Sequence, residues 1–429
     1  MAKIKPFQAI IYNQEKIKDL SKVACPPYDI ISPQRRQYLH EINPYNLIHM
    51  LLSRASPQED KYRRAARYFK DWLKEGMLIQ DKSPSIYFYS QQYLLKGEKR
   101  TRLGFIGLLR LEEEAPLVFG HEHTRLEPKE DRFRLLKQVK ANLSPIFSVF
   151  FDKKRIVART YQNYIRQHEP FIDIIDDEKT AHKVWRIDSS DLIGDFQGSI
   201  SGENIFIADG HHRYEVACAY RDEMKKKLGD KFNGEEDFNY LLAYFTSTDS
   251  HGLTILPVHR LLKLNKQLDW DDFLIRLREY FDVEEVKEKS RFFFLLEKCK
   301  GAQHVFGMYK NKKYWLLRLK NVKILDKMFS NASKEYSSVD VAILNRTILN
   351  NIFGIDIEDK KKLKFSPDVS EFIEQVDSDP LSLAFFLNPV KIQQIVSVAL
   401  NGERMPAKST YFYPKVLSGL VINKHGPIR

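Results

Sequence analysis

Cysteine is scarce in this chain: its 429 residues contain only Cys25, Cys218 and Cys299, which stand far apart. A disulfide framework or a cysteine-rich metal site needs more cysteines at closer spacing, so neither is expected to build the fold. Long apolar runs are missing too, and none approaches the roughly 20 residues of a membrane-spanning helix. The first residues, MAKIKPFQAIIY, lack the apolar centre and cleavage site of a signal peptide. We therefore expect a cytoplasmic protein with no membrane partner.

Internal repeats, low-complexity segments, zinc-finger patterns and aromatic RNA-binding signatures are also missing. The net charge is +12, from 69 basic and 57 acidic residues. Such a surface suits nucleic acid or phosphorylated small molecules, and a plain excess of solvated lysine produces it equally well. Charge alone does not choose between these partners, and no motif supports nucleic acid.

The length exceeds one comfortable hydrophobic core, so more than one domain is expected. After about residue 266 the sequence changes to charged amphipathic helices and short strands. We predict three segments: a nucleotide-binding or catalytic region at 1–265, an accessory α+β domain at 266–360, and a segment at 361–429 that returns the KSTYFYPK motif to the site.

Local patterns predict a mixed α/β (α+β) fold. The prolines of the first fifty residues favour short strands and turns with little helix. A helix is predicted to begin at Ser56-Pro57 and to end at Gly76. Two alternating segments joined through Lys96-Gly97-Glu98 predict a β-hairpin.

The stretch IADGHHRYEVA, residues 207–217, contains an aspartate, two histidines and an arginine within five residues. Asp209-Gly210 is itself a hairpin signal, but Val216 and Tyr220 continue at helical spacing, which predicts a strand, a tight turn and a helix. The start of a helix presents amide groups and a positive dipole end to an anion. Arg213 adds a forked donor suited to phosphate. The turn therefore predicts a phosphate site, the alternative being an aspartate cap with surface histidines.

Seven further segments of the chain are distinctive: PPYDII, NPYNLIHM, HEHT, DRFRLL, NLSPIF, LTILPVHR and MPAKSTYFYPKVLSGLV. Together with the turn, they make the chain resemble domain-of-unknown-function family 1015 from near residue 6 to about residue 423. That resemblance implies no activity.

The turn alone is similar to the signature turn of the ParB/sulfiredoxin superfamily. Sulfiredoxins cradle nucleotide phosphates with Gly-Cys-His-Arg, ParB proteins bind CTP with Gly-Glu-Arg-Arg, and free serine kinases carry Asp-Gly-His-His-Arg. The last form stands here at 209–213, without the sulfiredoxin cysteine or the doubled arginine of ParB. This resemblance implies a ParB/sulfiredoxin-like nucleotide-binding core with additional helical and strand regions.

The same resemblance implies a kinase of serine metabolism. It would transfer a phosphoryl group from ATP or ADP, with Mg²⁺, to the hydroxyl of free L-serine or a similar hydroxy amino acid. Such transfer needs a carboxylate at the hydroxyl and cations at the phosphates. Asp209 is the natural carboxylate, and Glu122 of HEHT is the candidate for a second one. His211 and His212 are candidate donors to the phosphate, or one of them orients the turn.

Other candidates come from the remaining motifs. Those for phosphate or nucleotide binding are Gly210, Arg213, Lys408, Ser409, Thr410 and Lys415. Those for a substrate pocket are Tyr28, Asp29, His121, His123, His259 and Arg260. The last two fit a structural ion pair equally well, and the Lys-Ser-Thr run lacks the preceding glycines of a P-loop.

Two other functions stay open. The turn suits a nucleotide-sensing, ParB-like binding protein associated with DNA. The histidines of HEHT and DGHH suit a metal-dependent hydrolase or nuclease, because histidine is a common transition-metal ligand. Neither segment has the spacing of the helical HExxH motif. The sequence leaves the bound metal and the oligomeric state unknown.

Overall fold

The structure, a computed structural model, describes residues 2–111, 117–124, 126–299, 303–357, 359 and 361–427. The chain forms two compact units. Unit 1 comprises Met1–Gly120, Thr124–Thr254 and Pro414–Arg429, and unit 2 comprises His121–His123 and Ile255–Tyr413. The three predicted segments are divided differently: 255–265 and 361–413 belong to unit 2, whereas 414–429 belongs to unit 1. Lys360, where the second segment ends, lies outside the described residues.

Unit 1 is built on a mixed sheet of nine strands. The strands of the unit up to residue 247, three of them outside this sheet, are β1 (Ile4–Lys5), β2 (Ile10–Tyr12), β3 (Leu78–Gln80), β4 (Ile86–Leu95), β5 (Glu98–Arg110), β6 (Val118–Gly120), β7 (Ala141–Asn142), β8 (Ile146–Phe150), β9 (Ile172–Ile175), β10 (Ala181–Ile187), β11 (Ile205–Asp209) and β12 (Tyr240–Ser247). Its helices are α1 (Pro33–Ile42), α2 (Ile48–Leu51), α3 (Lys61–Lys74), α4 (Leu126–Val139), α5 (Ile156–Asn163), α6 (Ser190–Ile200) and α7 (His211–Leu228).

Nine strands of unit 1 share one sheet, in the order β6-β11-β8-β12-β5-β4-β10-β9, with β1 on β5. The pairs β6–β11 and β8–β12 are parallel, and the others are antiparallel. The predicted hairpin is confirmed as β4–β5. Phe105 of β5 packs against Phe196 of α6 and Phe245 of β12, with ring centroids 4.5 and 5.1 Å away. Burying such a side chain stabilises the fold by about 1.5–3 kcal/mol.

Two helix predictions in the first eighty residues are wrong. Little helix was expected before residue 50, but α1 begins at Pro33. The Ser32 hydroxyl caps it by accepting from the Arg35 amide at 3.1 Å, and proline is favoured at the first position of a helix. The next long helix begins at Lys61 rather than at Ser56-Pro57, because Asp60 caps it by accepting from the amides of residues 62 and 63.

Unit 2 is built on an antiparallel sheet of six strands, in the order β15-β17-β16-β19-β14-β18, and β13 pairs with β20. The strands are β13 (Thr254–Leu256), whose first residue is counted in unit 1, β14 (His259–Lys263), β15 (Phe281–Val286), β16 (Val305–Lys310), β17 (Lys313–Leu319), β18 (Leu363–Ser366), β19 (Ser382–Phe386) and β20 (Tyr411–Tyr413). The helices are α8 (Trp270–Tyr280), α9 (Lys289–Lys298), α10 (Lys323–Met328), α11 (Lys334–Ser337), α12 (Asp340–Leu344), a π-helical turn at Asn345–Ile352, α13 (Val369–Ser378) and α14 (Ile392–Leu400).

The last part of the chain returns to unit 1, where β21 (Asn423–Lys424) pairs with β7. Helices and strands are thus mixed in both units, which confirms the α+β prediction. Within the described ranges, no helix combines the length and the apolar character that crossing a membrane requires.

Candidate functional site

The DGHHR turn joins β11 to α7, as predicted. The strand ends at Asp209 after a shift in register against β8, and such bulges re-aim a side chain at the end of a strand. Gly210 follows with a φ of 93°, a left-handed conformation that favours glycine. A Cβ at this position would lie 3.0 Å from the Arg213 guanidinium. Glycine therefore permits both the turn and the approach of the arginine.

Asp209 is held between two cations of unit 1. One carboxylate oxygen accepts from Arg213 Nη2 at 2.7 Å, and the other accepts from Lys415 Nζ. The three side chains are only 13, 11 and 10% exposed, in the order aspartate, arginine, lysine. Burial by itself raises the pKa of Asp209, but the two cations outweigh burial and hold it well below the ordinary 3.8. The carboxylate is therefore ionised at neutral pH.

Arg213 has spare hydrogen-bonding capacity. Its Nη1 donates to the Pro145 carbonyl, while its buried Nε has no hydrogen-bond partner among the described residues. A buried donor without a partner costs about 1–3 kcal/mol, and each such donor in a native fold calls for an explanation. An anionic ligand would supply the missing acceptor.

Tyr28 shares a cavity of about 60 Å³ with Arg213, Arg132 and Ser144. The Arg132 guanidinium lies 4.4 Å from the centre of the Tyr28 ring and donates to the Leu51 carbonyl at 2.8 Å. Burial raises the pKa of Tyr28 well above its usual range, so its hydroxyl keeps its proton at neutral pH. Asp29, the other candidate from the PPYDII motif, is exposed. Sequence reasoning missed Arg132, although the matched segment DRFRLL contains it.

The two histidines of the turn differ in burial. His211 is buried, and it packs so closely that a Cβ on Gly120 would lie 3.3 Å from its ring. His212 is half-buried. Both stand in the first turn of α7, whose N-cap is Gly210, a residue with no side chain to cap the helix. The first turn therefore carries the positive end of the helix dipole beside Asp209.

In unit 2, the first three residues of HEHT lie beside the C-terminal motif. The Met405 amide donates to the His121 carbonyl at 2.7 Å, and Glu122 forms a parallel bridge with Met405. The Glu122 carboxylate accepts from the backbone amide of Lys408 at 2.7 Å. His121 Nε2 lies 3.1 Å from the Thr410 hydroxyl. Two motifs almost three hundred residues apart thus form one structural element.

Lys408 is exposed and has a φ of 61°, which is uncommon for a residue other than glycine. Arg260 Nη2 donates to its carbonyl at 3.0 Å, while its amide donates to Glu122. These two contacts hold a backbone conformation that lysine adopts rarely. The neighbouring Ser409 is buried, and its hydroxyl donates to the Pro406 carbonyl at 2.5 Å.

His259 and Arg260 are buried in β14 of unit 2. Burial lowers the pKa of His259 to about 3, with Arg260 as a second cause, so the imidazole is neutral at pH 7. Burial also lowers the pKa of Arg260 to about 9, against the opposing effect of Glu122. His123 lines a separate cleft of about 810 Å³ in unit 2, together with Arg346 and Arg404.

The structure thus gathers the predicted residues in two places. Asp209, Arg213 and Lys415 meet in unit 1, and Glu122, Arg260 and the Lys408–Thr410 run meet in unit 2. That Glu122 is a second carboxylate of the site of Asp209 stays a prediction, because the two residues belong to different units. Across the described ranges, no group of three or more histidine, cysteine, aspartate or glutamate side chains is arranged to hold a metal ion.

Several solved structures are similar to this chain at low identity. A free serine kinase mutant in complex with AMP is 11% identical, with a TM-score of 0.33 over 69% of this chain and 83% of that one. SbnI from Staphylococcus aureus with a C-terminal truncation is 10% identical, with a TM-score of 0.35 over 73% and 85%. A conserved hypothetical protein from Pyrococcus furiosus is 11% identical, with a TM-score of 0.32 over 70% and 88%. Scores of this size do not establish a common fold.

No curated protein matches the sequence. One family model does, over residues 4–342, so the C-terminal motif lies beyond the matched range. Because that range covers most of the chain, the protein belongs to the family described as "Protein of unknown function (DUF1015)".

Proposed function

We propose that unit 1 is a ParB/sulfiredoxin-like nucleotide-binding core that transfers a phosphoryl group from ATP or ADP to the hydroxyl of free L-serine or a similar hydroxy amino acid. The observation that carries this proposal is the buried cluster of Lys415, Asp209 and Arg213 at the start of α7. Serine itself follows only from the resemblance of the DGHHR turn to free serine kinases.

The charges of the cluster suit a phosphate. Two cations face one carboxylate, which leaves a net positive charge, and the helix dipole adds to it. The Nε of Arg213 offers a buried donor, and the first turn of α7 offers backbone amides. A bound phosphate would share Lys415 and Arg213 with Asp209 and would stabilise the charge that develops during transfer.

Asp209 is better suited to positioning than to strong base catalysis. A carboxylate whose pKa lies below 3.8 is a weak base at neutral pH, but it is fully ionised and accepts a hydrogen bond from a hydroxyl. Phosphoryl transfer passes through a loose transition state in which the nucleophile must be aligned more than deprotonated. We therefore assign Asp209 the alignment of the acceptor hydroxyl, with Tyr28 on the wall of the small cavity that its partner Arg213 also lines.

Magnesium fits this site only as a companion of the nucleotide. Both carboxylate oxygens of Asp209 already accept from cations, so this carboxylate does not fit as a ligand of a magnesium ion held by the protein. Magnesium commonly keeps its waters and binds substrate phosphates. A cytoplasmic location is part of this proposal, because the nucleotide and the free amino acid are both cytoplasmic solutes.

The test is a direct assay of product. The protein is incubated with L-serine and either ATP or ADP, and phosphoserine is followed by ³¹P NMR and mass spectrometry. We expect product with one donor, and its loss in Lys415→Ala. Lys424→Ala is the matched control, because this lysine of the same terminal segment contacts the carbonyls of Gly426 and Pro427. Nucleotide binding with no product from serine or other hydroxy amino acids would overturn the proposal.

A second candidate function is a nucleotide sensor. The observation that favours it is the two-sided ion pairing of Asp209, which a nucleotide could rearrange without any chemistry. Isothermal titration with ATP, ADP and CTP separates the two functions. Preferential binding of CTP without turnover would favour the sensor.

A further inference from the structure

We propose that Gln91 and Arg102, two buried residues of the unit 1 sheet, are positioning residues that place the Lys415 ammonium at Asp209. The effect expected on catalysis rests on the proposed function. The effect expected on Lys415 itself does not, because the ion pair with Asp209 stands on its own geometry.

Lys415 needs an anchor because it lies in neither a helix nor a strand. Residues 414–417 are irregular backbone between β20 and an isolated bridge at Ser418, and most of them are buried. Buried backbone groups outside regular structure must find partners in side chains or elsewhere. A lysine on irregular backbone has no fixed direction unless such partners set it.

Gln91 and Arg102 supply these partners. Gln91 Nε2 donates to the Lys415 carbonyl at 2.8 Å, and Arg102 Nη2 donates to the Pro414 carbonyl at 2.6 Å. Both side chains are fully buried, and they face each other directly across the β4–β5 pair. Arg102 also donates to the Gln91 side-chain oxygen, which orients the glutamine amide toward Lys415.

The C-terminal end of this irregular segment, at Ser418, is fixed by other contacts. The Ser418 amide and carbonyl pair with Cys25 at 2.8 and 3.2 Å, and the Ser418 hydroxyl lies 2.6 Å from that of Ser144. Lys415 is therefore three residues from one fixed point and in direct contact with another. Of these contacts, the one from Gln91 reaches the backbone of Lys415 itself.

A buried arginine in the middle of a sheet is energetically costly. Its guanidinium lies 4.4 Å from the ring centre of Phe147 and 5.6 Å from that of Tyr244, so it is removed from water among aromatic rings. Burying a charge costs several kcal/mol before any pairing, and apolar side chains of similar size often serve the fold as well or better. What Arg102 and Gln91 provide, and apolar side chains do not, is hydrogen bonds that fix the backbone of residues 414 and 415.

The test uses Gln91→Leu, which keeps the bulk and removes the donor to Lys415. Gln92→Leu is the matched control, because the next glutamine of β4 bonds to the Thr101 hydroxyl of the neighbouring strand at 3.2 Å and not to the Lys415 segment. Lys415 is acylated with an amine-specific reagent, and its rate is read by peptide mass spectrometry with Lys424 as the internal reference. We expect about tenfold faster labelling of Lys415 in Gln91→Leu, which corresponds to a lost contact of about 1.4 kcal/mol, and no change in Gln92→Leu.

Arg102→Lys is the second variant, because it keeps the charge and removes the rigid planar guanidinium whose Nη2 donates to both Gln91 and the Pro414 carbonyl. It should also expose Lys415 to the reagent. In the kinase assay, both variants should lower kcat more than they raise the KM for serine. Labelling of Lys415 at the wild-type rate in a folded Gln91→Leu or Arg102→Lys protein would overturn the proposal. If no phosphoserine forms at all, the proposed function fails, and the labelling still decides the positioning role.

Discussion

The substitution Asp209→Asn removes the carboxylate that Lys415 and Arg213 share, and it keeps the shape of the side chain. With all three groups nearly buried, solvent screens them little, and the two cations are left without their common anion. Breaking a buried ion pair typically costs about 3–5 kcal/mol. We therefore expect the free energy of unfolding of Asp209→Asn to fall by about that amount in the absence of ligand.

A nucleotide should reverse part of this loss. A phosphate placed at the turn restores a negative charge between the two cations, so the affinity of Asp209→Asn for nucleotide should equal or exceed that of the wild type. Ligand at one hundred times its Kd adds about 2.7 kcal/mol to the stability of the folded state. Turnover should nevertheless fall by about 10²-fold, because the acceptor hydroxyl loses the carboxylate that aligns it.

The assay combines urea unfolding with and without ADP, isothermal titration, and phosphoserine formation on the same preparations. Asp249→Asn, at an exposed turn after β12, is the control. Unchanged stability would refute the buried ion-pair argument. Loss of stability with normal turnover per folded molecule would show that Asp209 is a structural residue, and the catalytic assignment would fall.

Two further predictions concern the turn, and a third concerns the buried His259 of unit 2. Arg213→Ala should weaken nucleotide binding by roughly 1.5–3 kcal/mol in a titration, because a charge-assisted contact is lost, whereas unchanged affinity would remove the arginine from the phosphate site. Gly210→Ala should lower both the urea midpoint and the nucleotide affinity, because the φ of 93° and the guanidinium 3.0 Å from the new Cβ both oppose a side chain. Gly202→Ala is the control: its φ is 81° but nothing lies within 4 Å of its new Cβ, so it reports the effect of the backbone conformation alone. The pKa of His259 is lowered to about 3 from 6.5, so below pH 6.5 the unfolded chain binds a proton that the folded one does not, and stability falls as the pH falls toward 3. At about pH 5.5 this loss amounts to about 1.4 kcal/mol, and it should disappear from the pH profile of His259→Gln but not from that of the exposed His251→Gln.

Local signals in the sequence were sufficient for the turn itself. The apolar run before Asp209, the Asp-Gly pair and the helical spacing after Arg213 all lie within twenty residues, and the structure has the strand, the turn and the helix in that order. The hairpin of β4 and β5 was predicted for the same reason. Local signals were misread in α1, where the many prolines suggested little helix although Ser32-Pro33 is itself a helix start.

Only the tertiary structure decided what surrounds the turn. The sequence made Lys415 a candidate for phosphate binding, but not its pairing with Asp209 across 206 residues. Nor did it show that Arg132 covers the Tyr28 ring, or that Gln91 and Arg102 hold the backbone beside Lys415. Periodicity and capping report contacts within about one or two turns of a helix or one strand pair, because they arise from neighbours along the backbone. Contacts between distant segments depend on how whole faces pack, and a lysine on irregular backbone carries no periodic signal of where its ammonium will lie. The sequence alone therefore determined a strand–turn–helix suited to an anion, and packing decided which distant side chains complete it.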